Sequence, residues 1–576
     1  MDWLGRWVVT AAWPYINSVP HLGTILHLLG ADVMTRFLRL LGEDVISVSG
    51  SDEHGTPIEV EARRKNIDPK RLTDDAHAYV VRLLKRWGIE LDNYSRTESP
   101  VHKDFVKRFM LGLEEKGSIF TQKMILPYCE RDRIFLPDRF IEGKCPRCGY
   151  PNARGDQCES CGALLDPLDL ISPRCAICGS KPILRETTHW FFDLRKVEHN
   201  VRRWLENNEE LWDNVRNYSL QWIREGLKPR SITRDNSWGI EAPFSGASGK
   251  TIYVWFEALL GYLSASKEIL EARGRRFEEF WHDSNTRTIY FIGKDNIPFH
   301  AVILPAMLIA SGERYPLPSI ISSTEYLLYE GEKFSKSRRI GLWADEALYI
   351  IDDPDYWRFA LIRVRPEERD TNFSWKEFAK IINTELNDDI GNFVFRVLSF
   401  VERYYGSEIP EPGNLDSIDA EVIDGVWNNY KGYIDKMMKT KMKQASEHIL
   451  EIARAGNLYL NRRAPWDEIR RDPVRAGTTI YIASNIAAIL AITLYPITPN
   501  ASRRMWKMLG YGEDIENARY PRERDEAFKL VEGGMRIGNP EPPFRKLPQG
   551  FIDKIGSIIE QARQAAQRDR PEYLKF

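Results

Sequence analysis

Two segments that lie far apart in the chain carry side chains that could bind a triphosphate. The first is His21-Leu22-Gly23-Thr24, which follows a proline-containing loop and opens a helix-like sequence. Free N–H groups at a helix N-terminus favour an anion, the glycine lets a phosphate approach the backbone, and His21 can donate a hydrogen bond. The second is the loop 331–337, where Lys333 and Lys336 supply two positive charges that could pair with phosphate. Taken alone, a charged loop of this kind is more often a solvated surface.

The seven cysteines are clustered in one part of the chain. Cys145-Pro-Arg-Cys148 and Cys158-Glu-Ser-Cys161 form two C-x2-C pairs separated by nine residues. Two such turns brought together supply four thiolates in a tetrahedron, which is the geometry that zinc prefers. The spacing predicts a structural zinc site, and an expected cytosolic location disfavours disulfides.

The other three cysteines, Cys129, Cys175 and Cys178, bracket this set. Asp132 stands in the second position of a pair with the same x2 spacing as the others. A second zinc held by Cys129, Asp132, Cys175 and Cys178 is one interpretation. Three free thiols are the alternative, because a carboxylate is a less usual ligand in structural sites.

The phosphate-binding segments require a scaffold, and the N-terminal sequence predicts one. An apolar run over residues 7–13 predicts a strand, and apolar residues at helical spacing after Gly23 predict a helix of about five turns. A strand over 44–48 and helices from Thr56 and Thr73 continue the β-α-β order of nucleotide-binding folds. Asp52 follows the second strand, where it could pair with a substrate amino group or cap the next helix.

Length and composition limit the class of protein. The 576 residues are 43% hydrophobic and 28% charged, with a net charge of −2, which is typical of a soluble chain of two to four domains. No global basic field indicates a nucleic acid, so any such contact must come from local patches. The apolar stretch 478–496 contains polar residues and is predicted to be a buried bundle helix, not a membrane span. No targeting segment is visible, and a cytoplasmic location is expected.

The two phosphate-binding segments, in this order, resemble the two signatures of class I aminoacyl-tRNA synthetases. Within that class, Ala12-Trp13-Pro14-Tyr15 and the segments 250–262 and 288–300 are similar to methionyl-tRNA synthetases. The resemblance is to an archaeal-like variant. Trp13 and Leu259 stand where many bacterial members have Leu and Pro, and both differences alter the pocket wall. Thr24 replaces the second histidine of the usual signature, and its hydroxyl can donate a hydrogen bond without charge.

The resemblance implies an α/β fold: a Rossmann-type doubly wound catalytic domain with an inserted zinc-knuckle module, followed by an all-α anticodon-binding helix bundle. The implied domains are residues 1–116 and 243–324 for the two halves of the catalytic domain, 117–242 for the insertion, 325–375 for a connector with the lysine loop, 376–536 for the bundle, and 537–576 for a tail that packs back on the body.

The resemblance also implies site residues. The implied catalytic residues are His21, Thr24, Lys333 and Lys336, and the implied ATP contacts are His21, Gly23, Gly293, Asp295 and Lys336. The implied methionine pocket comprises Trp13, Tyr15, Asp52, Trp255, Ala258, Tyr262 and His300. Aromatic walls and one polar tip suit a thioether, although an aromatic stripe is more often plain core.

In the helical region, Asn392, Arg396 and Trp466 are implied to read the CAU anticodon, because an unstacked base can stack on Trp while Arg and Asn bond its edges. Arginines 462, 463, 470 and 471 could hold phosphates or form a solvated face.

The implied reaction is activation of L-methionine with ATP and Mg2+ to methionyl-adenylate and pyrophosphate, followed by transfer to the 3′ adenosine of tRNA(Met) for initiation and elongation. Because the methionine carboxylate is already an anion, it needs no protein base to attack the α-phosphorus. We expect a monomer that lacks a C-terminal dimerisation domain and could use a separate tRNA-binding partner. The alternatives are a cysteinyl or leucyl synthetase and a non-enzymatic tRNA-binding or zinc-scaffold protein.

Overall fold

The computed structural model describes residues 5–575 except 137–139, 156, 157, 159, 162, 164, 336 and 337. Lys336 therefore lies outside the described residues. The first part of the chain contains β1 (Arg6–Ala11), α1 (Leu22–Leu41), β2 (Asp44–Ser51), α2 (Thr56–Lys65), α3 (Pro69–Arg86), β3 (Asn93–Arg96) and α4 (Pro100–Glu115).

The predicted helix after Gly23 is confirmed as α1, which ends at Gly42, where a φ of 91° suits glycine. The predicted start of α3 at Thr73 is wrong. This helix begins at Pro69, after Asp68, whose carboxylate accepts a hydrogen bond from the N–H of Lys70. Proline in the first turn and an aspartate cap are both helix-start signals that the apolar periodicity alone does not show.

The middle of the chain is a largely antiparallel region. Its elements are β4 (Ile119–Cys129), β5 (Ile134–Phe135), β6 (Ile141–Lys144), β7 (Ala153–Arg154), β8 (Ile171–Cys175), β9 (Ile183–Phe192), α5 (Glu198–Asn207), α6 (Asp213–Arg224), β10 (Arg230–Ser231) and β11 (Thr233–Arg234). β4 and β9 pair along most of their length, and β6 pairs with β7 and β8 in a separate small sheet.

After this region the chain returns to the first sheet. The elements are β12 (Thr251–Ile252), α7 (Val254–Ala272), α8 (Glu278–Trp281), β13 (Thr286–Gly293), α9 (Leu304–Ala310), β14 (Ile320–Thr324) and β15 (Leu327–Tyr329). β13 pairs in parallel with β1, opposite β2, and gives the strand order β14-β13-β1-β2-β3. Alternate residues of β1 pack against the α1 side and the α7 side, so that both faces are covered. Ligands bind such sheets at the carboxyl ends of the strands.

The remainder is mostly helical. Its elements are α10 (Ala344–Ile350), α11 (Pro354–Arg363), β16 (Thr371–Phe373), α12 (Trp375–Lys380), α13 (Asn392–Tyr405), α14 (Ser417–Met438), α15 (Met442–Arg463), α16 (Pro465–Glu468), α17 (Pro473–Leu494), α18 (Pro499–Met508), α19 (Arg524–Ala527) and α20 (Ile555–Asp569). Among the described residues, α17 alone is long and apolar enough to cross a membrane, but 94% of its apolar window is buried. The prediction of a buried bundle helix is confirmed.

A buried ion pair ties the helical region to the sheet. The guanidinium of Arg358 in α11 is 2.6 Å from the carboxylate of Asp32 in α1, and both side chains are fully buried. Arg358 also donates to the carbonyls of Pro496 and Ile497, at 2.9 and 2.8 Å. A buried charge requires such complete pairing, so these contacts hold α1, α11 and the end of α17 in register.

Candidate active site and metal centres

His21 is the N-cap of α1. Its Nδ1 accepts hydrogen bonds from the N–H groups of Gly23 and Thr24, at 3.1 and 3.3 Å, and its Nε2 lies 3.5 Å from the Thr24 hydroxyl. Burial lowers the pKa of His21 to about 4, so the ring is neutral near pH 7. Because Nδ1 is an acceptor, the proton is on Nε2, which can donate to a phosphate oxygen.

The lysine loop reaches His21 through Phe334. The two rings stack with centroids 4.4 Å apart and an angle of 11° between their planes. Lys333, the residue before Phe334, places its Nζ 4.4 Å from the centroid of the Tyr326 ring. The two segments predicted to flank one triphosphate therefore lie together, although they are distant in sequence.

Asp295 lies beside the same tyrosine, just beyond the end of β13 at Gly293. The hydroxyl of Tyr326 donates to Asp295 Oδ1 at 2.7 Å. Gly293 faces His27, because a Cβ at Gly293 would lie 3.3 Å from His27 Cε1. The predicted ATP residues His21, Gly23, Gly293 and Asp295 all lie at the carboxyl edge of the sheet.

Asp52 is buried at the end of β2 with one oxygen, Oδ1, that has no hydrogen-bond partner among the described residues. Burial, and secondarily the negative charge of Glu257, raise the pKa of Asp52 well above its usual range. The alternative role as a helix cap is excluded, since Gly55 is the N-cap of α2. The free oxygen can accept from an ammonium ligand, whose positive charge would favour the ionised carboxylate.

Tyr262 and His300 form a hydrogen-bonded pair. The Tyr262 hydroxyl lies 2.7 Å from His300 Nε2, and His300 Nδ1 lies 2.9 Å from the carbonyl of Asn296. The carbonyl can only accept, so Nδ1 carries the proton and Nε2 accepts from the tyrosine. Burial lowers the pKa of His300 to about 4, which keeps the pair neutral.

The predicted pocket residues Tyr15, Trp255 and Ala258 lie on neighbouring parts of the same edge. Trp255 stacks on Phe299 with centroids 4.2 Å apart and meets Tyr15 edge to face at 6.0 Å. Ala258 lies one turn along α7 from Trp255 and is buried. Tyr15 pairs through its backbone with Asp52. The structure thus brings the aromatic residues and the buried carboxylate to one edge of the sheet.

Three residues at this edge were missed by the sequence analysis: His27, Tyr326 and Phe334. His27 Nε2 lies 2.9 Å from the Thr324 hydroxyl. Phe334 lies inside the lysine loop, and its contact with His21 depends on the tertiary fold. His27 and Tyr326 carry no local pattern that distinguishes them from ordinary helix and loop residues.

Both predicted metal-ligand sets are assembled. In the first, the Sγ atoms of Cys145 and Cys161 are 3.9 Å apart and those of Cys148 and Cys158 are 3.6 Å apart. A tetrahedral ion with Zn–S bonds of about 2.3 Å separates its sulfurs by roughly 3.8 Å, so this spacing fits zinc.

In the second set, Asp132 Oδ2 lies 3.3 Å from Cys129 Sγ and 3.1 Å from Cys175 Sγ. Cys129 and Cys178 place their Sγ atoms 3.5 Å apart. The four ligand atoms lie within 4.8 Å of one another, as in the first set. Both cysteine clusters could bind zinc.

In the helical region, two of the predicted anticodon residues are in contact. The guanidinium of Arg396 lies 5.4 Å from the centroid of the Trp466 ring, and Trp466 is 40% exposed. Asn392, one turn before Arg396 on α13, is exposed and donates to Asp388 at 3.2 Å. The suggested phosphate role of Arg463 is wrong, because its side chain is 9% exposed and bonds Asp416 and Asp419 within the bundle.

Two family models and two sequence relatives that match this chain are those of aminoacyl-tRNA synthetases. The family described as tRNA synthetases class I (M) matches residues 7–398, and the anticodon binding domain of methionyl tRNA ligase matches residues 409–555. The methionine–tRNA ligase of Ignicoccus hospitalis is 53% identical over 575 residues, covering 99% of this chain and 100% of that protein. The methionine–tRNA ligase of Aeropyrum pernix is 54% identical over 580 residues, with the same coverage.

Among solved structures, the fold is similar to that of Mycobacterium tuberculosis methionyl-tRNA synthetase in complex with methionyl-adenylate. The TM-score is 0.76 at 24% identity, over 94% of this chain and 100% of that one. Taken together with the sequence relatives, these matches show that the chain belongs to the methionine–tRNA ligase family of class I aminoacyl-tRNA synthetases.

Proposed function

We propose that the protein activates L-methionine with ATP to form methionyl-adenylate and pyrophosphate, and then transfers methionine to the 3′ adenosine of tRNA(Met) for initiation and elongation. The observation that carries this proposal is the stacking of Phe334 on His21, which joins the two phosphate-binding segments. The same edge of the sheet holds Asp52 and the Tyr262–His300 pair, so sites for both substrates adjoin.

For the activation step, the chain needs to position the substrates and to neutralise charge. The methionine carboxylate attacks the α-phosphorus of ATP, and pyrophosphate leaves. Neutral His21 donates from Nε2 to a phosphate oxygen, and Thr24 adds a hydroxyl donor. Lys333, and by resemblance Lys336, supply positive charge. ATP enters with Mg2+, whose charge adds to that of the lysines.

For methionine recognition, we assign the amino group to Asp52 and the sulfur to the Tyr262–His300 pair. The unpartnered Oδ1 of Asp52 supports the first assignment, since an ammonium group would satisfy it. Aromatic walls from Trp13, Tyr15 and Trp255 favour a thioether. Because Tyr262 donates its proton to His300 Nε2, the pair offers the sulfur a neutral polar contact and not a donated hydrogen bond. Ala258 leaves room that a larger residue would fill.

We propose that both cysteine sets hold structural zinc, the first with Cys145, Cys148, Cys158 and Cys161 and the second with Cys129, Asp132, Cys175 and Cys178. The matching spacing of the ligand atoms supports this. Zinc would cross-link a region with short strands and few apolar residues, which otherwise has a small core.

We further propose that Asn392, Arg396 and Trp466 read the CAU anticodon. The exposed indole offers a stacking surface, and Arg396 beside it offers hydrogen-bond donors. We place the enzyme in the cytoplasm as a monomer. A separate tRNA-binding protein could add affinity, because a net charge of −2 gives no global attraction to RNA.

The test is amino-acid-dependent exchange of labelled pyrophosphate into ATP. Methionine alone is expected to support the exchange. Exchange with cysteine or leucine in place of methionine would identify a related synthetase, and absence of exchange with any amino acid would identify a non-enzymatic protein. Lys336→Ala is expected to lower the exchange rate by about two to three decades while methionine binding is retained.

A further inference from the structure

We propose that the C-terminal helix α20 positions the phosphate-binding segments through Arg563. The Nη2 atom of Arg563 donates to the carbonyl of Gly341 at 3.1 Å, although the two residues are more than 200 positions apart. Gly341 lies just after the lysine loop. This inference rests on the proposed function, because its consequence is read in the activation step.

The segment around Gly341 is a junction between the two phosphate-binding segments. The N–H of Leu22 donates to the carbonyl of Leu342 at 3.1 Å, and the N–H of Ala344 donates to the carbonyl of Pro20 at 2.8 Å. On its other side, Ser335 and Ile340 exchange two backbone hydrogen bonds at 2.9 and 3.0 Å. A displacement of this segment would therefore reach His21 from one side and the lysine loop from the other.

Gly341 also makes the space that Phe334 occupies. Its φ of 132° is one that side chains rarely adopt, and a Cβ there would collide with the Phe334 ring. The same phenylalanine stacks on His21. The carbonyl to which Arg563 donates thus belongs to Gly341, the residue against which the Phe334 ring packs.

A separate arginine anchors α20. The side chain of Arg570 is fully buried, with Nε 2.6 Å and Nη2 2.7 Å from the carboxylate of Asp345 and with Nη2 3.1 Å from Glu346. Arg563 lies seven residues earlier, two turns along the same face. The Nε atom of Arg563 also lies 3.7 Å from Glu346 Oε2. Because Arg570 keeps its contacts with both Asp345 and Glu346 when Arg563 is changed, the helix stays in place.

Arg563 is a positioning residue, since it contacts neither substrate site. Arg563→Met is expected to lower kcat for methionine-dependent pyrophosphate exchange about tenfold, with the KM for methionine changed less than twofold. Arg563→Lys is expected to recover part of the rate, because an ammonium can still donate to the Gly341 carbonyl. The matched control is Arg568→Met on the exposed side of α20, which should exchange at the wild-type rate.

A double-mutant cycle separates positioning from a general loss of structure. If Arg563 acts through the packing of Phe334 on Gly341, Phe334→Ala and the double variant Arg563→Met/Phe334→Ala will have nearly the same kcat. Independent effects that multiply would overturn the proposal, as would a tenfold rise in the methionine KM of Arg563→Met or a wild-type rate in that variant. Failure of the wild-type protein itself to exchange with methionine would instead overturn the proposed function.

Discussion

Trp13 and Gly261 are in such close contact that a Cβ at Gly261 would lie 2.7 Å from Cζ2 of the indole. Gly50 adjoins the same ring, where a Cβ would lie 2.8 Å from Cη2. Trp13 can therefore occupy this position only because both neighbours lack side chains. The large residue at position 13 is matched by two small ones on other elements.

This match predicts the effect of Gly261→Ala. The added methyl group forces the indole toward the methionine pocket, so the KM for methionine in pyrophosphate exchange should rise about tenfold. Overpacking should lower the free energy of unfolding in urea by about 1–3 kcal/mol. Adding Trp13→Leu to this variant should restore both quantities in part.

Gly112→Ala is the matched control, because Gly112 is also helical and a Cβ there meets nothing within 4 Å. It should leave KM unchanged and should not destabilise the fold. An unchanged KM in Gly261→Ala would show that Trp13 does not line the methionine pocket.

The sequence predicts those parts of the site that depend on local spacing. The helix start after His21 and the cysteine pairs are encoded within a few residues, and the structure assembles both. The packing of Phe334 on Gly341 and the Arg358–Asp32 pair depend on which distant segments meet. No local periodicity encodes these tertiary contacts. The Arg462–Arg463 pair shows the same limit: both lie in the last turn of α15, but only Arg463 turns into the bundle toward Asp419.

The raised pKa of Asp52 predicts that methionine binding releases a proton. In the free enzyme, burial favours the protonated carboxyl, whereas a bound ammonium group favours the carboxylate and lowers its pKa. Calorimetric titration with methionine in buffers of different ionisation enthalpy should show release of up to one proton at pH values below the free-enzyme pKa. Asp52→Asn should bind more weakly and release none. A binding enthalpy that does not depend on the buffer would contradict the assignment.

The two ligand sets predict two zinc ions per chain by elemental analysis. Cys148→Ser and Cys178→Ser should each remove one ion, because each variant leaves its set with three ligands. Each loss should lower the melting temperature, since zinc binding can contribute on the order of 10 kcal/mol to the folding of a small module. The loss should act mainly on stability and less on the rate of methionine-dependent pyrophosphate exchange, because no cysteine lies in the substrate site. One zinc ion per chain in both the wild type and Cys178→Ser would identify the second set as free thiols.

The contact between Arg396 and Trp466 predicts that the helical surface affects tRNA charging but not amino-acid activation. Stacking of one base on an aromatic side chain contributes about 1–3 kcal/mol, so Trp466→Ala should lower kcat/KM for tRNA(Met) by roughly 10- to 100-fold. Pyrophosphate exchange should be unchanged, because α16 lies outside the catalytic sheet. Leu458→Ala, at a residue that is 69% exposed on α15, controls for loss of apolar surface and should charge normally. A tRNA(Met) with an altered anticodon provides the opposing outcome. If the wild type charges it as well as tRNA(Met), and Trp466→Ala charges it at the same rate as the wild type, Trp466 does not read the anticodon.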